Sequence, residues 1–78
     1  MNHKLSNGDR TFIEAAQSGK INHIAKKYAP DGKVGDKLRF YDGARCVAVT
    51  KISRIEEPTI LNDRWLVYWE PQDFQLTK

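Results

Sequence analysis

One stretch of the chain, residues 34–43, most constrains what it can fold into. Alternation along this stretch puts two apolar side chains on one face of a strand and three polar ones on the other: Leu38 and Phe40, against Lys37, Arg39 and Tyr41. A glycine at each end, Gly35 and Gly43, permits the positive φ angles that tight turns require. A long apolar run follows at once. We therefore predict a two-strand hairpin around which the other segments pack.

Length and composition indicate one small globular domain. The chain has 78 residues, of which 40% are hydrophobic and 29% charged. It lacks both the roughly 20 apolar residues that cross a bilayer and the apolar segment of a signal peptide. We therefore expect a cytoplasmic protein with no membrane partner. The net charge of +3 is compatible with a polyanionic partner and does not require one.

The cysteine and histidine content argues against a disulfide or a metal centre. Cys46 is the lone cysteine, and the chain has two histidines. One cysteine excludes an internal disulfide, and the set is too small for a familiar zinc cluster. We expect Cys46 to be a small buried strand residue, and we expect no metal and no other cofactor.

The first helix is predicted from its spacing and its cap. Residues 1–8 are polar, and we expect a loose N-terminus there. Thr11 and Glu14 fit a capping box, and the apolar residues that follow recur at helical spacing. Gly19 stands where a left-handed residue commonly ends a helix. The pattern predicts an amphipathic helix over about residues 10–18.

Residues 20–29 fit two structures. As a second helix, which periodicity favours and which Pro30 would end, the segment has an apolar stripe of Ile21, Ile24, Ala25 and Tyr28. As a short strand, it places on one face Lys20, Asn22, Ile24 and Lys26. Both interpretations stay open, because the functional interpretation depends on which is correct.

The C-terminal half predicts the second strand of the hairpin, one further strand and a tail. The second hairpin strand changes its buried face partway, which a bulge near residues 50–51 would explain. Residues 64–70 are apolar on both faces, so this strand belongs inside a sheet, and either Trp65 or Trp69 lies in the core. Phe74 and Leu76 can pack the tail, residues 71–78, onto the body. We predict one α+β domain over residues 1–78, with a small curved antiparallel sheet or a β-barrel and one or two N-terminal helices.

Three motifs together resemble a known family. They are a helix running from Phe12 to Ser18-Gly19-Lys20, then the segment Lys33-Val34-Gly35-Asp36-Lys37-Leu38-Arg39-Phe40, and a strand closing with Ile52-Ser53-Arg54-Ile55. Over residues 12–70 the chain resembles the ASCH domain, a compact member of the PUA-like β-barrels, of which it would be a short and degenerate member. The resemblance implies a cleft between helix and barrel that handles nucleic acid or modified nucleosides.

Some members of that family are amidohydrolases that deacylate acetylated cytidine with a lysine, a threonine and a glutamate. Lys20 corresponds to the lysine and is the one catalytic candidate. His23 or Ile24 stands where the threonine is expected, and neither has the hydroxyl that this chemistry requires. Glu56 or Glu57 would have to serve as the glutamate. The chain is therefore expected to lack the enzymatic activity.

The first functional hypothesis is a non-catalytic RNA-binding module of PUA-like type, a monomer or weak dimer. RNA is expected in preference to DNA on this hypothesis, and either Tyr41 or Trp65 offers a ring on which a base can stack. The predicted nucleic-acid-binding residues are Lys20, His23, Lys26, Lys27, Arg39, Tyr41 and Arg54. The same charged residues are equally well explained as a solvated surface that keeps a small protein soluble. The resemblance to the ASCH domain favours nucleic-acid binding over that explanation.

Two alternatives belong to other classes. One is a small protein, of the kind that phages carry, that binds and inhibits a host protein; an exposed apolar patch at the Trp65 strand would favour it. The other is the amidohydrolase itself, for which Lys20 would be essential.

Overall fold

The predicted hairpin lies at the centre of the sheet. The computed structural model describes residues 1–5 and 10–77, and within them the chain forms six strands and one α-helix. In chain order the structure contains β1 (Asn2–Lys4), α1 (Arg10–Gln17), β2 (His23–Lys26), β3 (Lys37–Asp42), β4 (Arg45–Glu56), β5 (Trp65–Trp69), a 3₁₀ helix (Pro71–Asp73) and β6 (Gln75–Leu76).

The hairpin of β3 and β4 forms as the sequence predicts. Leu38 and Phe40 are both 0% exposed, while the side chains alternating with them lie on the outer face. Gly43 has a φ of 64° in the two-residue turn, and Gly35 has a φ of 97° before β3. Both glycines therefore occupy the left-handed region that other residues enter only with strain.

The sheet has the strand order β1-β3-β4-β5-β2, and β6 also pairs with β4. Every pairing is antiparallel except that of β1 with β3, which is parallel. The predicted α+β class with a mostly antiparallel sheet is confirmed, with a single helix among the described residues. Three strands were expected and six are present, because β1, β2 and β6 are too short to produce a clear apolar alternation.

The N-terminus corrects one expectation. Residues 2–4 were expected to be loose, but they form β1 along the edge of β3. The Arg39 amide donates to the Met1 carbonyl at 2.9 Å, and the Leu5 amide donates to the Tyr41 carbonyl at 2.8 Å. A polar three-residue strand has little intrinsic stability, so its structure depends on the neighbouring edge. Residues 6–8 lie outside the described part of the chain.

Residues 23–26 settle the ambiguity that periodicity left. They form β2, so the second helix is wrong and the alternative, a short strand, is confirmed. β2 pairs with β5 over four residue positions, and its Ile24 is 5% exposed. The helical stripe would have buried Tyr28, whose side chain is 76% exposed. Backbone pairing with a long apolar strand therefore outweighs the weak helical preference of a short segment.

β4 bends because its pairing shifts partway along. Its first half pairs with β3 and β6, and its second half pairs with β5. The register against β5 shifts between Ile52 and Arg54, two residues beyond the predicted bulge. Before the shift Ala48, Thr50 and Ile52 face inward; after it Ile55 packs against the core. The bulge predicted near residues 50–51 is therefore wrong, because Ala48, Thr50 and Ile52 keep the same buried face, and the change of face occurs between Ile52 and Ile55.

Helix α1 covers one side of the sheet. Ala16 is 0% exposed, and Phe12 and Ile13 pack against the core. Gly19 has a φ of 83° just after the helix, as predicted. Thr11 lies inside the helix, so the predicted capping box, in which Thr11 precedes it, is wrong. Within the described residues, no helix has the length and apolar character needed to cross a membrane.

Three aromatic rings pack together in the core. Phe40 lies 5.5 Å from both Trp69 and Phe74, measured between ring centroids. Trp69 is 1% exposed and Phe74 is 7% exposed, so the predictions of a core tryptophan and a packed tail are confirmed. Leu76 pairs with β4 through its backbone, but its side chain is 49% exposed. Cys46 lies in β4 as expected, although it is half-buried.

Candidate nucleic-acid interface

Four cationic side chains lie on the outer surface of three neighbouring strands. We call this set the basic face; it consists of Lys4, Lys37, Arg39 and Lys51. Backbone pairing places Lys37 directly opposite Lys51, and Lys4 opposite Tyr41. Arg39 lies two residues from both Lys37 and Tyr41 on β3, so all three share the face opposite the core. The arrangement brings together Arg39 and Tyr41, two of the predicted binding residues.

The charge of the basic face is not neutralised by the sheet around it. Directly opposite residues of an antiparallel pair have Cβ atoms roughly 4.5–5.5 Å apart, so Lys37 and Lys51 repel each other. The outward strand positions here carry no acidic residue; they are Asn2, Lys4, Lys37, Arg39, Tyr41, Val49 and Lys51. Within the described residues, the salt bridges join Arg54 to Glu56 at 3.6 Å and Arg64 to Asp63 at 3.8 Å.

An open groove of about 440 Å³ runs beside the lysine pair. It is lined by Lys37, Lys51, Val49 and Gln75, with Asp73 and the backbone of Gly35 completing its wall. Pairing across the sheet aligns Arg39, Val49 and Gln75 in one row on the outer face. A shallow surface with cations on one side suits an extended anionic chain better than an enclosed small molecule.

Two predicted binding residues, His23 and Arg54, lie on the outer face of β2 and β4 and contact Tyr68. The Arg54 guanidinium lies 4.1 Å from the centroid of the Tyr68 ring, and the His23 ring lies 5.2 Å from it. The Tyr68 hydroxyl donates to Glu56 Oε1 at 3.1 Å. Arg54 also approaches the Glu56 carboxylate, so its charge is partly balanced. The two residues are brought together, but around a protein ring and away from the lysine pair.

Lys26, a third predicted residue, contacts the opposite edge of the sheet. Its ammonium donates to Nδ1 of His3 at 3.2 Å, which joins the edge strands β2 and β1. The His3 ring also packs against Phe40 and Phe12, at centroid distances of 5.8 and 6.4 Å. Partial burial lowers the pKa of His3, and the neighbouring Lys26 charge lowers this pKa further. The neutral imidazole is therefore the form that accepts the Lys26 hydrogen bond.

This geometry predicts that the protein loses stability on mild acidification. The native state binds the His3 proton less readily than the unfolded state, whose histidine pKa is about 6.5. The stabilisation is complete above that pKa and is lost as the pH falls through the lower, folded-state value. We expect the free energy of unfolding, measured with urea, to fall between pH 7.5 and pH 5.0. In His3→Gln the fall should be smaller; an equal fall in the variant would contradict the assignment.

The remaining predicted residues are separate from both clusters. Lys20 is exposed just after α1, where its backbone amide donates to the Ala15 carbonyl at 2.9 Å. Lys27 is exposed and its ammonium lies 5.8 Å from the centroid of the Tyr28 ring. Of the glutamates considered for amidohydrolase chemistry, Glu56 accepts the Tyr68 hydroxyl and Glu57 is exposed. The catalytic role of Lys20 stays a prediction.

The sequence interpretation missed four residues that the structure brings into these clusters. Lys4 and His3 were overlooked because residues 1–8 were expected to be loose. Lys37 alternates with Arg39 and Tyr41, which was a usable signal. Tyr68 carried no signal, because its neighbours come from two other strands. No group of three or more metal-ligating side chains occurs in the described part of the chain.

Comparison with known proteins does not extend these observations. The chain matches no protein-family model, no curated protein and no solved structure. The resemblance to the ASCH domain therefore stays a prediction, and the geometry described above carries the functional argument.

Proposed function

We propose that this protein is a non-catalytic nucleic-acid-binding module that contacts the phosphates of a single strand through the basic face. The observation that carries the proposal is the lysine pair, Lys37 and Lys51, placed directly opposite each other, with Asp73 as the one acidic residue that lines the groove beside them. Like charges at such positions destabilise a sheet. A bound phosphate relieves this repulsion, so the pair suits a site that receives an anion.

The surroundings of the lysine pair support a strand-like ligand. Arg39 and Lys4 continue the positive charge across β3 and β1, and the open groove lies on the other side of the pair. Tyr41 lies on the same face as Arg39 and is half-buried, so part of its ring is available to a base. The resemblance to the ASCH domain favours RNA over DNA as the nucleic acid.

The curl of the sheet supports the PUA-like barrel as the finer description of the fold. The edge strands β1 and β2 meet through the contact of His3 with Lys26, although no backbone pairing joins them. A PUA-like barrel formed from this sheet would have the basic face on its outer surface.

A salt titration tests the proposal. We expect a fluorescently labelled 12-nucleotide single-stranded RNA to bind at 50 mM salt and to be released as salt is added. Four phosphate contacts predict a slope of log K against log salt near −3, because each releases about 0.7 counterion. DNA of the same sequence and duplex RNA serve as comparison ligands. A slope near zero, or no binding at low salt, would rule out the phosphate contacts.

The alternative function, binding to another protein, is favoured by a separate surface at the loop between β4 and β5. That surface is apolar, whereas the basic face is cationic.

A further inference from the structure

The two most exposed large apolar side chains of the described chain are neighbours in sequence. Ile60 is 104% exposed and Leu61 is 97% exposed, relative to a fully accessible residue. They lie at the tip of the loop over residues 57–64, which joins β4 to β5. Scattered apolar residues are normal on a protein surface, but two adjacent aliphatic side chains without any packing are not explained by the fold.

The tip is held by hydrogen bonds on both sides of these residues. The Thr59 amide donates to the Asn62 carbonyl at 2.7 Å, and the Asn62 amide donates to Thr59 Oγ1 at 3.1 Å. The Arg64 amide donates to Asn62 Oδ1 at 3.2 Å, which extends the support toward β5. Ile60 and Leu61 are therefore the central residues of a closed turn, presented together to solvent.

Turn preferences do not account for this choice of residues. Central turn positions favour glycine, proline, asparagine, aspartate and serine. Ile60 is β-branched and therefore restricted at χ1, and neither residue adopts a positive φ. Ile60 and Leu61 are poor turn residues, and the fold gains no packing from them. We take this to indicate that they contact another molecule.

The charges beside the tip indicate what it contacts. Glu57 is exposed, and the Asp63 side chain is 95% exposed although it pairs with Arg64. With Arg64 counted, the loop over residues 57–64 has a net charge of −1, which disfavours nucleic-acid phosphates and the anionic surface of a membrane. A protein surface with cationic side chains around an apolar pocket attracts this loop.

We propose that the loop tip is a protein-docking anchor, in which Ile60 and Leu61 enter an apolar pocket on a partner protein whose rim is basic. The pre-formed turn reduces the ordering cost of binding, so two aliphatic side chains suffice as the centre of a small interface. The anchor is independent of the basic face, since it uses other residues and the opposite charge.

The anchor is tested by cross-linking from within the tip. The full chain, carrying a photoreactive leucine analogue in place of Leu61, is irradiated in a lysate of the source cells. We expect one other protein to be cross-linked, and it is then purified and its affinity for the unmodified chain is measured. The same chain is also mixed with vesicles of phosphatidylcholine and phosphatidylserine, and its oligomeric state is measured by analytical ultracentrifugation.

Variants then decide whether the purified protein uses the anchor. Ile60→Ser with Leu61→Ser should weaken its binding about 100-fold, because both side chains lose burial of apolar area. Glu57→Lys with Asp63→Lys should slow association about tenfold, whereas the matched apolar control, Tyr28→Ser with Val34→Ser, should bind normally. The Ile60/Leu61 variant should keep its thermal midpoint and its RNA binding, which separates this test from that of the basic face.

Three results would overturn the proposal. One is equal affinity of the partner for the parent chain and the Ile60/Leu61 variant. Another is cross-linking to a second copy of the chain alone, which would make the tip a self-association contact. The third is binding to the vesicles that depends on Ile60 and Leu61, which would assign the tip to a membrane surface.

Discussion

Phe40→Ala is expected to remove a large part of the stability of this protein. The Phe40 side chain is fully buried, and its ring packs against those of Phe12, Trp69 and Phe74 at centroid distances of 5.6, 5.5 and 5.5 Å. Truncating a buried phenylalanine costs about 3–5 kcal/mol, through lost apolar burial and the cavity left behind. Small domains have about 0.05–0.15 kcal/mol of stability per residue, or about 4–12 kcal/mol for 78 residues, so the loss is a large fraction of the total.

Thermal and urea unfolding followed by circular dichroism measure this effect. The midpoint should fall by about 15 °C or more in Phe40→Ala, and Phe40→Leu should lose much less. Tyr28→Ala is the matched control, because it removes an aromatic ring that is 76% exposed. Equal midpoints for Phe40→Ala and Tyr28→Ala would show that the aromatic cluster does not hold the sheet and α1 together.

Replacing both lysines of the pair with alanine is expected to weaken RNA binding about 25-fold at 0.1 M salt. Each lysine contributes one phosphate interaction that releases about 0.7 counterion, so each replacement weakens binding roughly fivefold at this salt concentration. The slope of log K against log salt should become shallower by about 1.4, since two such interactions are removed. The thermal midpoint should stay equal or rise slightly, because Lys37 and Lys51 repel each other across the hairpin.

Two control variants separate a site from a general effect of charge. Lys37→Arg with Lys51→Arg keeps both cations and should retain the affinity and the salt slope. Arg64→Ala removes a cation from the loop between β4 and β5 and should bind nearly as the parent chain does. If Arg64→Ala weakens binding as much as Lys51→Ala does, the attraction comes from net charge and the basic face is not a site.

The segments that sequence predicted well share a local cause. Apolar alternation and two glycines placed β3 and its turns, because Leu38 and Phe40 must share the buried face. Helical spacing and Gly19 located α1 within one residue at its C-terminal end. β5 was predicted as an internal strand because residues 65–69 are apolar on both faces, and it does lie between β4 and β2.

The segments that sequence predicted poorly depend on distant partners. β1 consists of three polar residues, which give no apolar alternation, and it is ordered by pairing with β3. β2 carries a helical stripe, but β5 presents an edge to which its backbone can pair. In both cases the hydrogen bonds formed with another strand outweigh a weak local preference, and a sequence pattern does not contain that information.

In the candidate sites too, some residues could be placed from local sequence patterns and others only from the pairing of distant strands. Lys37, Arg39 and Tyr41 could be placed on one face from alternation alone. That Lys51 lies opposite Lys37 depends on the register of β4, and that His23 and Arg54 meet at Tyr68 depends on three strands lying side by side. The exposed pair at the loop tip could not be recognised from sequence either, because the pattern does not show whether a loop packs its apolar residues onto the body of the fold.

By itself, the sequence determined a small α+β domain with a central hairpin, an N-terminal amphipathic helix and at least one core tryptophan. These features follow from periodicity and from backbone angles that particular residues permit. The tertiary structure alone decided which cations share a surface, which histidine is partly buried beside Lys26, and which apolar side chains are left in solvent. Those outcomes depend on strand register and on packing between segments far apart in the chain, where contacts are set by the whole fold.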